Sequence, residues 1–468
     1  MVPTQGWGNE RFRTVSGLAP NKMNVPSAWG WLASGWFAIV AACALPMAAQ
    51  TPQSANYDES KVPAYHLPDP LVLENGKPVT TWRMWLEKRR PELLRLFETN
   101  VYGKSPAPPS DPVYTVLSDD AVLNGTARRK QIKVQFSRRS PAAMTILLYL
   151  PATAEARVPV FVGLNFEGNQ TVDPDPGILM STAWVDNGPG VVNHRSTEAS
   201  RGVASSRWPV SLIVSSGFAV ATVYDGDIAP DHANNETEGV FTLFAKPGVA
   251  ATDNARAPDA WGTIAAWAWG LSRIADYLET DSAIDKYRIV AIGHSRLGKA
   301  ALWAAAQDTR FAAVVSNCSG EGGAAIARRK FGERTEHLNT AFPHWYSLNY
   351  RKYNDKEEDL PVDSNELLAL IAPRPLYVAS ASEDLWADPK GEFLGAQGAD
   401  PVYRLFGHTG LAAKEMPGIE KPVLSTIGYH LRRGKHDITA YDWTQYLTWA
   451  SEHLRSEPLG IPQSAPPK

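Results

Sequence analysis

One stretch near the middle of the chain places a serine where it could act as a nucleophile. The residues Gly293-His294-Ser295-Arg296-Leu297-Gly298 contain the pattern Gly-x-Ser-x-x-Gly, one residue longer than the Gly-x-Ser-x-Gly nucleophile elbow. An elbow holds its serine in a strained turn between a strand and a helix, and small residues flank it because the backbones pass closely. We therefore interpret Ser295 as a candidate nucleophile. The N-terminus of the following helix would favour the negative charge that develops during its reaction.

A serine hydroxyl attacks at neutral pH only when a base accepts its proton and an acid orients that base. In α/β-hydrolases the chain order is serine, acid, histidine. The base is therefore expected late in the chain, in a loop before the last helix. His436 fits this order, because Gly434 permits a turn and a helix is predicted to begin near Tyr441. The other histidines considered for this role are His344, His408 and His430.

The acid is expected in the loop that follows a predicted strand at 375–381. This loop holds three carboxylates, each of which could also be an ordinary solvated charge. Asp384 is the first choice because it comes directly from the end of the strand, and Glu383 is the second. Asp388 precedes a proline, which is typical of a helix N-cap.

The flanking sequence predicts the elements that must hold the serine. Residues 289–292 are apolar, as in a buried strand, and 299–307 are strong helix formers. Further strands are predicted at 113–117, 130–136, 144–150, 158–166, 218–224 and 311–316, and further helices at 80–99, 257–278, 364–371, within 387–406 and at 442–454. Antiparallel strands followed by alternating strands and helices predict a three-layer α/β sandwich with a mostly parallel, twisted sheet and antiparallel strands at its N-terminal edge. The polar stretches 168–207 and 225–254 are predicted to be loops over the top of the sheet.

Composition excludes several classes of protein. The 468 residues are 44% hydrophobic and 10% aromatic, which indicates a folded chain with a sizeable core. A net charge of −3 gives no electrostatic reason to expect nucleic acid or an anionic membrane as the main partner. Cys43 and Cys318 do not form a zinc-binding pattern, and no metal or cofactor is predicted.

The N-terminal region has the features of a secretory signal. An apolar, uncharged segment at 31–45 follows Lys22 and precedes small residues, with cleavage expected near Ala49. Cys43 also lies in a lipobox-like context, so an outer-membrane lipoprotein is the alternative to plain export into the periplasm or medium. Four regions are therefore predicted: a signal region at 1–49, a flexible linker at 50–63, one catalytic domain at 64–456 and a Pro-rich disordered tail at 457–468. We expect a monomer.

Several motifs together resemble one enzyme family far more specifically than the elbow does. They are Gly-His-Ser-Arg-Leu-Gly-Lys at 293–299, Ser-Gly-Glu-Gly-Gly-Ala at 319–324, Arg-Arg at 328–329, Phe-Gly-Glu at 331–333, Glu-Asp-Leu-Trp-Ala-Asp-Pro at 383–389 and Gly-Lys-His-Asp at 434–437. They are similar to motifs of the bacterial glucuronoyl esterases of carbohydrate esterase family 15, and the resemblance covers most of the chain after Tyr65. It implies an α/β-hydrolase that cleaves esters between the 4-O-methyl-glucuronate of xylan and lignin alcohols, without metal or cofactor.

The resemblance also implies roles for individual residues. Ser295 resembles the nucleophile and His436 the base, while Arg296 resembles the arginine that helps to hold the oxyanion. Three further residues, Lys299, Glu333 and Trp386, resemble those that hold the uronate hydroxyls. A lysine donates and a glutamate accepts, so this pair could grip two neighbouring hydroxyls while the tryptophan forms an apolar wall. The alternatives are that the lysine lies on a helix surface, that the glutamate pairs with Arg328 or Arg329, and that the tryptophan is packed.

Cys318 departs from the family pattern. Many members carry a catalytic glutamate at this position, and a thiol cannot orient and charge-stabilise an imidazolium as a carboxylate does. Either Asp384 supplies the acid or Glu321 reaches in from the neighbouring loop, and we favour Asp384. Two other functions remain open: an esterase for acetyl or other simple carbohydrate esters, and an inactive carbohydrate-binding protein suggested only by this cysteine.

Overall fold

The structure, a computed structural model, describes residues 55–152, 156–245 and 256–455. The predicted signal region at 1–49 with its Cys43 and the predicted tail at 457–468 lie outside the described residues. Within the described ranges, helices are too short or too polar to cross a bilayer.

A ten-stranded sheet forms the middle layer, and a separate two-stranded ribbon lies in the polar stretch at 168–207. The strands are β1 (Val113–Val122), β2 (Ala127–Gln135), β3 (Ala143–Pro151), β4 (Val158–Asn165), β5 (Val191–Val192), β6 (Arg195–Ser196), β7 (Ala219–Tyr224), β8 (Ile284–His294), β9 (Phe311–Asn317), β10 (Leu376–Ala381), β11 (Val423–Leu424) and β12 (Ile427–Arg432). The large sheet has the order β1-β2-β3-β7-β4-β8-β9-β10-β12-β11. The six consecutive strands β7, β4, β8, β9, β10 and β12 are parallel to one another. Strands β1, β2, β3 and β11 pair antiparallel.

Helices cover both faces of the sheet. They are α1 (Trp82–Met84), α2 (Arg90–Phe97), α3 (Val210–Ser215), α4 (Asp225–Ile228), α5 (Thr263–Leu278), α6 (Arg296–Gln307), α7 (Thr335–Ala341), α8 (Ser364–Ala369), α9 (Pro389–Leu405) and α10 (Ala440–His453). One core holds the apolar sides of α2, α5, α6, α8 and α9, and a second core holds those of α3 and α10.

The strand sequences produce this division into two cores. Successive side chains of a strand point to opposite faces of the sheet. In β4, Val160 and Val162 accordingly enter the core with α5 and α6, whereas Phe161 enters the core with α10. Because both faces are covered, the central strands are almost continuously apolar. The predicted three-layer α/β sandwich with an antiparallel N-terminal edge is confirmed.

Some elements differ from the prediction. The helix expected at 80–99 is divided into α1 and α2 by a wider π-helical turn at Trp85–Arg89. Pro91 explains the interruption, since it has no N–H and its ring crowds the carbonyl one turn earlier. The sequence pattern did not predict β12, which pairs parallel to β10 and leads directly to the loop of His436.

The segment at 50–63 was expected to be a flexible linker, and for its described part this is wrong. The carbonyl of Asn56 accepts a hydrogen bond from Gly332 N at 2.8 Å, and residues Glu59–Lys61 form a short 3-10 turn. Glu59 forms ion pairs with Arg329 at 2.5 Å and Lys390 at 2.8 Å. Charge pairing and backbone bonding therefore hold this segment against the domain.

Arg89 anchors α2 to α8. Its buried guanidinium bonds Glu366 at 2.6 Å and Glu92 at 2.7 Å. Arg89→Met leaves the buried Glu366 unpaired, so we expect the free energy of unfolding to fall by about 3–5 kcal/mol. The matched control is Arg95→Met, which breaks an exposed ion pair with Glu74 and should change that free energy by about 0–1 kcal/mol. Urea denaturation followed by tryptophan fluorescence measures both. Equal small changes would contradict the assigned role of this anchor.

Candidate active site

The serine lies in a strained turn between β8 and α6. Ser295 has φ 56° and ψ −133°, and its backbone N–H donates to the carbonyl of Asn317 at 2.9 Å. The turn requires glycine at 293, because a Cβ atom there would overlap the carbonyl oxygen of Leu297. At Gly298 a Cβ would lie 3.0 Å from the carbonyl oxygen of Gly293. The backbone strain and the close approach expected of a nucleophile elbow are therefore present at this serine.

His436 and Asp384 are joined by a short hydrogen bond. The Nδ1–H of His436 donates to Oδ2 of Asp384 at 2.6 Å, and the carboxylate is buried. These residues follow β12 and β10, which are parallel neighbours, so the carboxyl ends of the two strands meet at one edge. Nδ1 is occupied by the carboxylate, which leaves Nε2 of the neutral ring as the proton acceptor.

The loop of His436 is fixed by backbone contacts on both sides. Glu383 N donates to the carbonyl of Gly434 at 2.8 Å, which connects the loop to the end of β10. The guanidinium of Arg432 donates to the carbonyls of Lys435 at 2.8 Å and Asp437 at 2.9 Å. One arginine thus binds the carbonyls on either side of the histidine and holds the turn closed.

The elbow and the histidine–carboxylate pair lie side by side. The ring centroid of His294, which precedes Ser295, is 4.5 Å from that of His436. His294 Nδ1 contacts Oδ1 of Asn317 at 2.6 Å, and burial followed by the charge of His436 holds its pKa well below the usual value. A neutral His294 therefore packs against His436 at the strand that carries the serine.

Cys318 occupies the buried space behind this pair. Donor atoms of Cys318, Asp384 and His436 all lie within 4.8 Å of one another, a spacing that could also hold a metal ion. Burial, and then the charges of Glu392 and Asp384, raise the pKa of the Cys318 thiol well above its usual value. Because the carboxylate and Nδ1 are already joined at 2.6 Å, we interpret the cysteine as a neutral thiol packed against a hydrogen-bonded pair.

The other carboxylates considered as the acid have different partners. Glu321 is buried and accepts hydrogen bonds from the hydroxyls of Thr335 and of Tyr350, the latter at 3.2 Å. Burial and then the charge of Glu357 raise its pKa well above the usual value, which favours its protonated form. Asp388 caps α9 by accepting from Gly391 N at 2.9 Å, as expected of an N-cap. Glu383 is exposed.

Arg296 is held beside the serine by Asp231 and, at 3.9 Å, by Asp225, two acids that the sequence pattern did not predict. Its Nε lies 2.7 Å from Oδ2 of Asp231, and its guanidinium carbon lies 4.5 Å above the ring of Phe166. Burial would raise the pKa of Asp231, but Arg296 and hydrogen bonds from His344 and Trp345 outweigh it and hold that pKa below its usual value. These acids come from the polar stretch at 225–254, whose weak periodicity gave no signal for individual residues.

The three predicted substrate-binding residues form a connected chain of contacts. Lys299 is buried one turn after the serine, and its Nζ donates to Oε2 of Glu333 at 2.6 Å and to the carbonyl of Glu321 at 2.5 Å. Nε1 of Trp386 donates to Oε1 of Glu333 at 3.3 Å, and this tryptophan is exposed. The alternatives from the sequence are therefore wrong: the lysine is not on the surface, the glutamate pairs with the lysine, and the tryptophan is not packed in the core.

Of the other three histidines considered as the base, His430 and His344 have side-chain partners of their own. His430 is fully buried between Tyr377 and Asp442, with Nε2 at 2.8 Å from the carboxylate. His344 contacts Asp231 at 2.8 Å and so supports the partner of Arg296. His408 follows α9, and its backbone N–H donates to the carbonyl of Tyr403 at 3.1 Å.

Glu392 is a further residue of the site that sequence reasoning missed. Its buried carboxyl accepts from Ser319 N at 2.7 Å, from Gly320 N at 3.2 Å and from the Ser380 hydroxyl at 2.6 Å. It therefore connects α9 to β10 and to the loop that follows Cys318. Burial is the main cause that raises its pKa to about 8. A glutamate in the first turn of a helix usually interacts with the helix N-terminus, so its position gave no sign of this role.

Comparisons with known proteins show which family this chain is similar to. The family model for fungal glucuronyl esterases matches residues 202–407. Carbohydrate esterase MZ0003, from an unknown prokaryotic organism, is 50% identical over 406 residues, which are 86% of this chain and 93% of that protein. The solved structure of a promiscuous CE15 esterase from a marine bacterial metagenome is 49% identical, with a TM-score of 0.80 over 86% of this chain and 100% of the other. A glucuronoyl esterase from Solibacter usitatus is 51% identical, with a TM-score of 0.79 over 84% of this chain and 99% of the other.

Prediction from the thiol. Burial and the raised pKa both disfavour the thiolate of Cys318, which is the reactive form. In a Cys43→Ala protein, whose remaining thiol is Cys318, we expect Ellman's reagent to label the folded protein at least about 100-fold more slowly than free cysteine. The same protein in guanidinium chloride should be labelled at the free-thiol rate. Rapid labelling of the folded protein would contradict the packed, neutral thiol.

Proposed function

We propose that this chain, which belongs to the glucuronoyl esterases of carbohydrate esterase family 15, hydrolyses esters between (4-O-methyl-)glucuronic acid side chains of xylan and lignin alcohols. Its relatives are carboxylic ester hydrolases, and it is one as well. The proposal concerns the substrate and the mechanism, an acyl-enzyme on Ser295. A plant cell-wall substrate agrees with the export predicted from residues 31–45.

In the proposed acylation, Nε2 of His436 accepts the hydroxyl proton of Ser295 while the serine oxygen attacks the carbonyl carbon of the ester. The tetrahedral intermediate collapses with cleavage of the bond to the alcohol oxygen, and His436 gives its proton to the departing alcohol. Water then repeats the sequence on the acyl-enzyme and releases the uronic acid. Asp384 holds the ring in the required tautomer and stabilises the imidazolium, which its 2.6 Å bond to Nδ1 supports.

Arg296 is proposed to stabilise the oxyanion of both tetrahedral intermediates. Its backbone N–H is at the first position of α6, where N–H groups have no carbonyl partner within the helix. Asp231 at 2.7 Å holds the guanidinium beside the elbow, so little reorganisation is needed as charge develops. One such donor contributes about 3 kcal/mol of transition-state stabilisation.

The contacts that join Lys299, Glu333 and Trp386 are the observation that supports specificity for a uronate ester. They begin one helical turn from the serine and end at an exposed indole. An acetyl group has no hydroxyls to use an ammonium and a carboxylate, whereas the ring of a uronic acid has several. Buried polar groups of this kind select for a ligand that completes their hydrogen bonds. The contact chain therefore favours a uronate ester over a simple acetyl ester.

Prediction for the acid. Asp384→Asn should lower kcat on benzyl glucuronate by about four orders of magnitude, because the asparagine stabilises the wrong tautomer of His436. Ser295→Ala should lose at least as much, together with labelling by a fluorophosphonate. Glu383→Gln, one residue away and exposed, is the matched control and should leave kcat unchanged. Near-normal turnover of Asp384→Asn combined with a large loss in Glu321→Gln would transfer the role of the acid to Glu321.

Prediction for specificity. Glu333→Gln removes the charged acceptor, and the lost hydrogen bonds should cost about 1.5–3 kcal/mol of uronate recognition. We expect kcat/KM on benzyl glucuronate to fall by about 10- to 100-fold, and turnover of acetylated xylan, measured in parallel, to stay the same. Thermal unfolding of the variant controls for loss of the fold. A parallel fall on both substrates would mean that the glutamate supports the structure and does not recognise the uronate.

A further inference from the structure

Residues 55–61 form an N-terminal arm that crosses the rim of the candidate active site. The arm is anchored by the Asn56 carbonyl on Gly332 N at 2.8 Å and by the Glu59 carboxylate on Arg329 and Lys390. Arg329 also bonds Asp388 at 2.7 Å, directly after the loop that carries Trp386. The arm is therefore fastened to the segments on which the proposed uronate-binding residues lie.

The arm presents one large side chain at this rim. Tyr57 is 50% exposed, and its ring packs edge-to-face on Phe331 with centroids 6.3 Å apart. Its neighbour Asn56 bonds Gly332 N, so Tyr57 lies beside the segment that carries Glu333. Partial burial and then the charge of Asp384 raise the pKa of its hydroxyl. An aromatic residue whose only role was to fix the arm would bury its face. Tyr57 instead leaves half of its surface in solvent beside Phe331.

The loop after β10 carries two further exposed apolar side chains. Leu385 is 43% exposed and Trp386 is 39% exposed. This loop lies directly against the segment that holds the arm, because a Cβ atom at Gly332 would overlap the carbonyl oxygens of both residues. Glu333 N also donates to the carbonyl of Trp386 at 2.8 Å. We call Tyr57, Leu385 and Trp386 together the rim surface.

The proposed function determines which part of the substrate faces the rim surface. The ester carbonyl must lie at Ser295, and the alcohol must leave on the side of His436. The ring hydroxyls, held by Lys299 and Glu333, point away from that carbonyl. The anomeric carbon, through which the uronate is attached to xylan, is next to the hydroxyl-bearing edge. The polysaccharide therefore leaves the pocket on the side of Glu333 and Trp386, where Tyr57 lies.

We propose, on the basis of the proposed function, that the rim surface is a binding subsite for the xylose units of the xylan main chain, with Tyr57 of the N-terminal arm as its aromatic platform. Xylose is uncharged and presents C–H groups on its ring faces, which pack against rigid aromatic and apolar side chains. The charges nearby suit a neutral ligand, because Glu59 is paired with Arg329 and Lys390. The arm thus makes the enzyme distinguish a branched polysaccharide from an isolated uronate ester.

Prediction for the subsite. Two benzyl esters separate this proposal from the proposed function: benzyl glucuronate, and the benzyl ester of a xylotriose that carries one 4-O-methyl-glucuronate branch. Tyr57→Ala should raise KM for the branched ester by about 3- to 10-fold, as expected for the loss of one aromatic contact. KM for benzyl glucuronate and kcat for both esters should not change. Tyr57→Phe keeps the platform and should behave as the wild type.

The matched control is Tyr287→Ala. This tyrosine is 43% exposed near the start of β8, at the opposite end of that strand from Ser295, and its loss should leave both KM values unchanged. Glu59→Ala weakens the anchoring of the arm and should shift KM for the branched ester in the same direction as Tyr57→Ala. Equal KM changes on the two esters in Tyr57→Ala, or no change on either, would overturn the subsite.

If the proposed function is wrong, the wild type will cleave neither ester, although both contain the uronate. This outcome differs from a change of KM on the branched ester alone. Binding of unbranched xylotetraose, measured by titration calorimetry on the Ser295→Ala enzyme, tests the subsite without any cleavage. Weaker binding after adding Tyr57→Ala would support the subsite, and unchanged binding would overturn it.

Discussion

The 2.6 Å hydrogen bond between His436 and Asp384 is the contact on which the rest of the site depends. Neither residue is near the other in sequence, and each follows a different strand. They meet because β10 and β12 are parallel neighbours, so both chains leave the sheet at the same edge. The serine reaches this edge by the same route, at the end of β8. The sheet therefore supplies the geometry, and the loops need only short connections to place the reacting groups.

Different parts of the chain hold the proposed catalytic groups and the residues proposed to bind the sugar. The proposed catalytic groups follow directly from strand ends, where two layers of helices hold the backbone. Of the residues proposed to bind the sugar, Lys299 lies on α6, whereas Glu333 and Trp386 come from connecting segments. Buried ion pairs fix these segments: Lys299 with Glu333, and Arg329 with Asp388. A charge in such a pair is costly to bury without its partner. The pairing therefore fixes the loops more firmly than apolar contacts at an exposed rim could.

The sequence was sufficient for the elbow and for the order of the layers, because each has a local signature, whereas Lys299, Glu333 and Trp386 were predicted only from the resemblance to the family. Glycines at 293 and 298 mark the tight turn, and apolar runs mark the buried strands. It was not sufficient for β12, where Gly428, His430 and Arg432 interrupt the apolar pattern even though the strand is buried. It also could not choose between Asp384 and Glu321, since both are acids in loops beyond strands. Their hydrogen-bond partners, which are distant in sequence, favour Asp384 as the proposed acid. The arm at 55–61 was expected to be a linker because its contacts to Gly332, Arg329 and Lys390 have no local signature.

The thiol at position 318 can also be understood from the electrostatics of the buried space behind the histidine. Glu392 already lies there, and burial together with the charge of Asp384 raises its pKa to about 8. A second glutamate at 318 would add another like charge in a region of low dielectric, and each carboxylate would raise the pKa of the others. Asp384 would then hold its negative charge less firmly at neutral pH. A neutral thiol fills the space without that repulsion, so the charge that faces the imidazolium stays on Asp384. A buried, neutral thiol at 318 is therefore compatible with Asp384, at the end of β10, as the proposed acid.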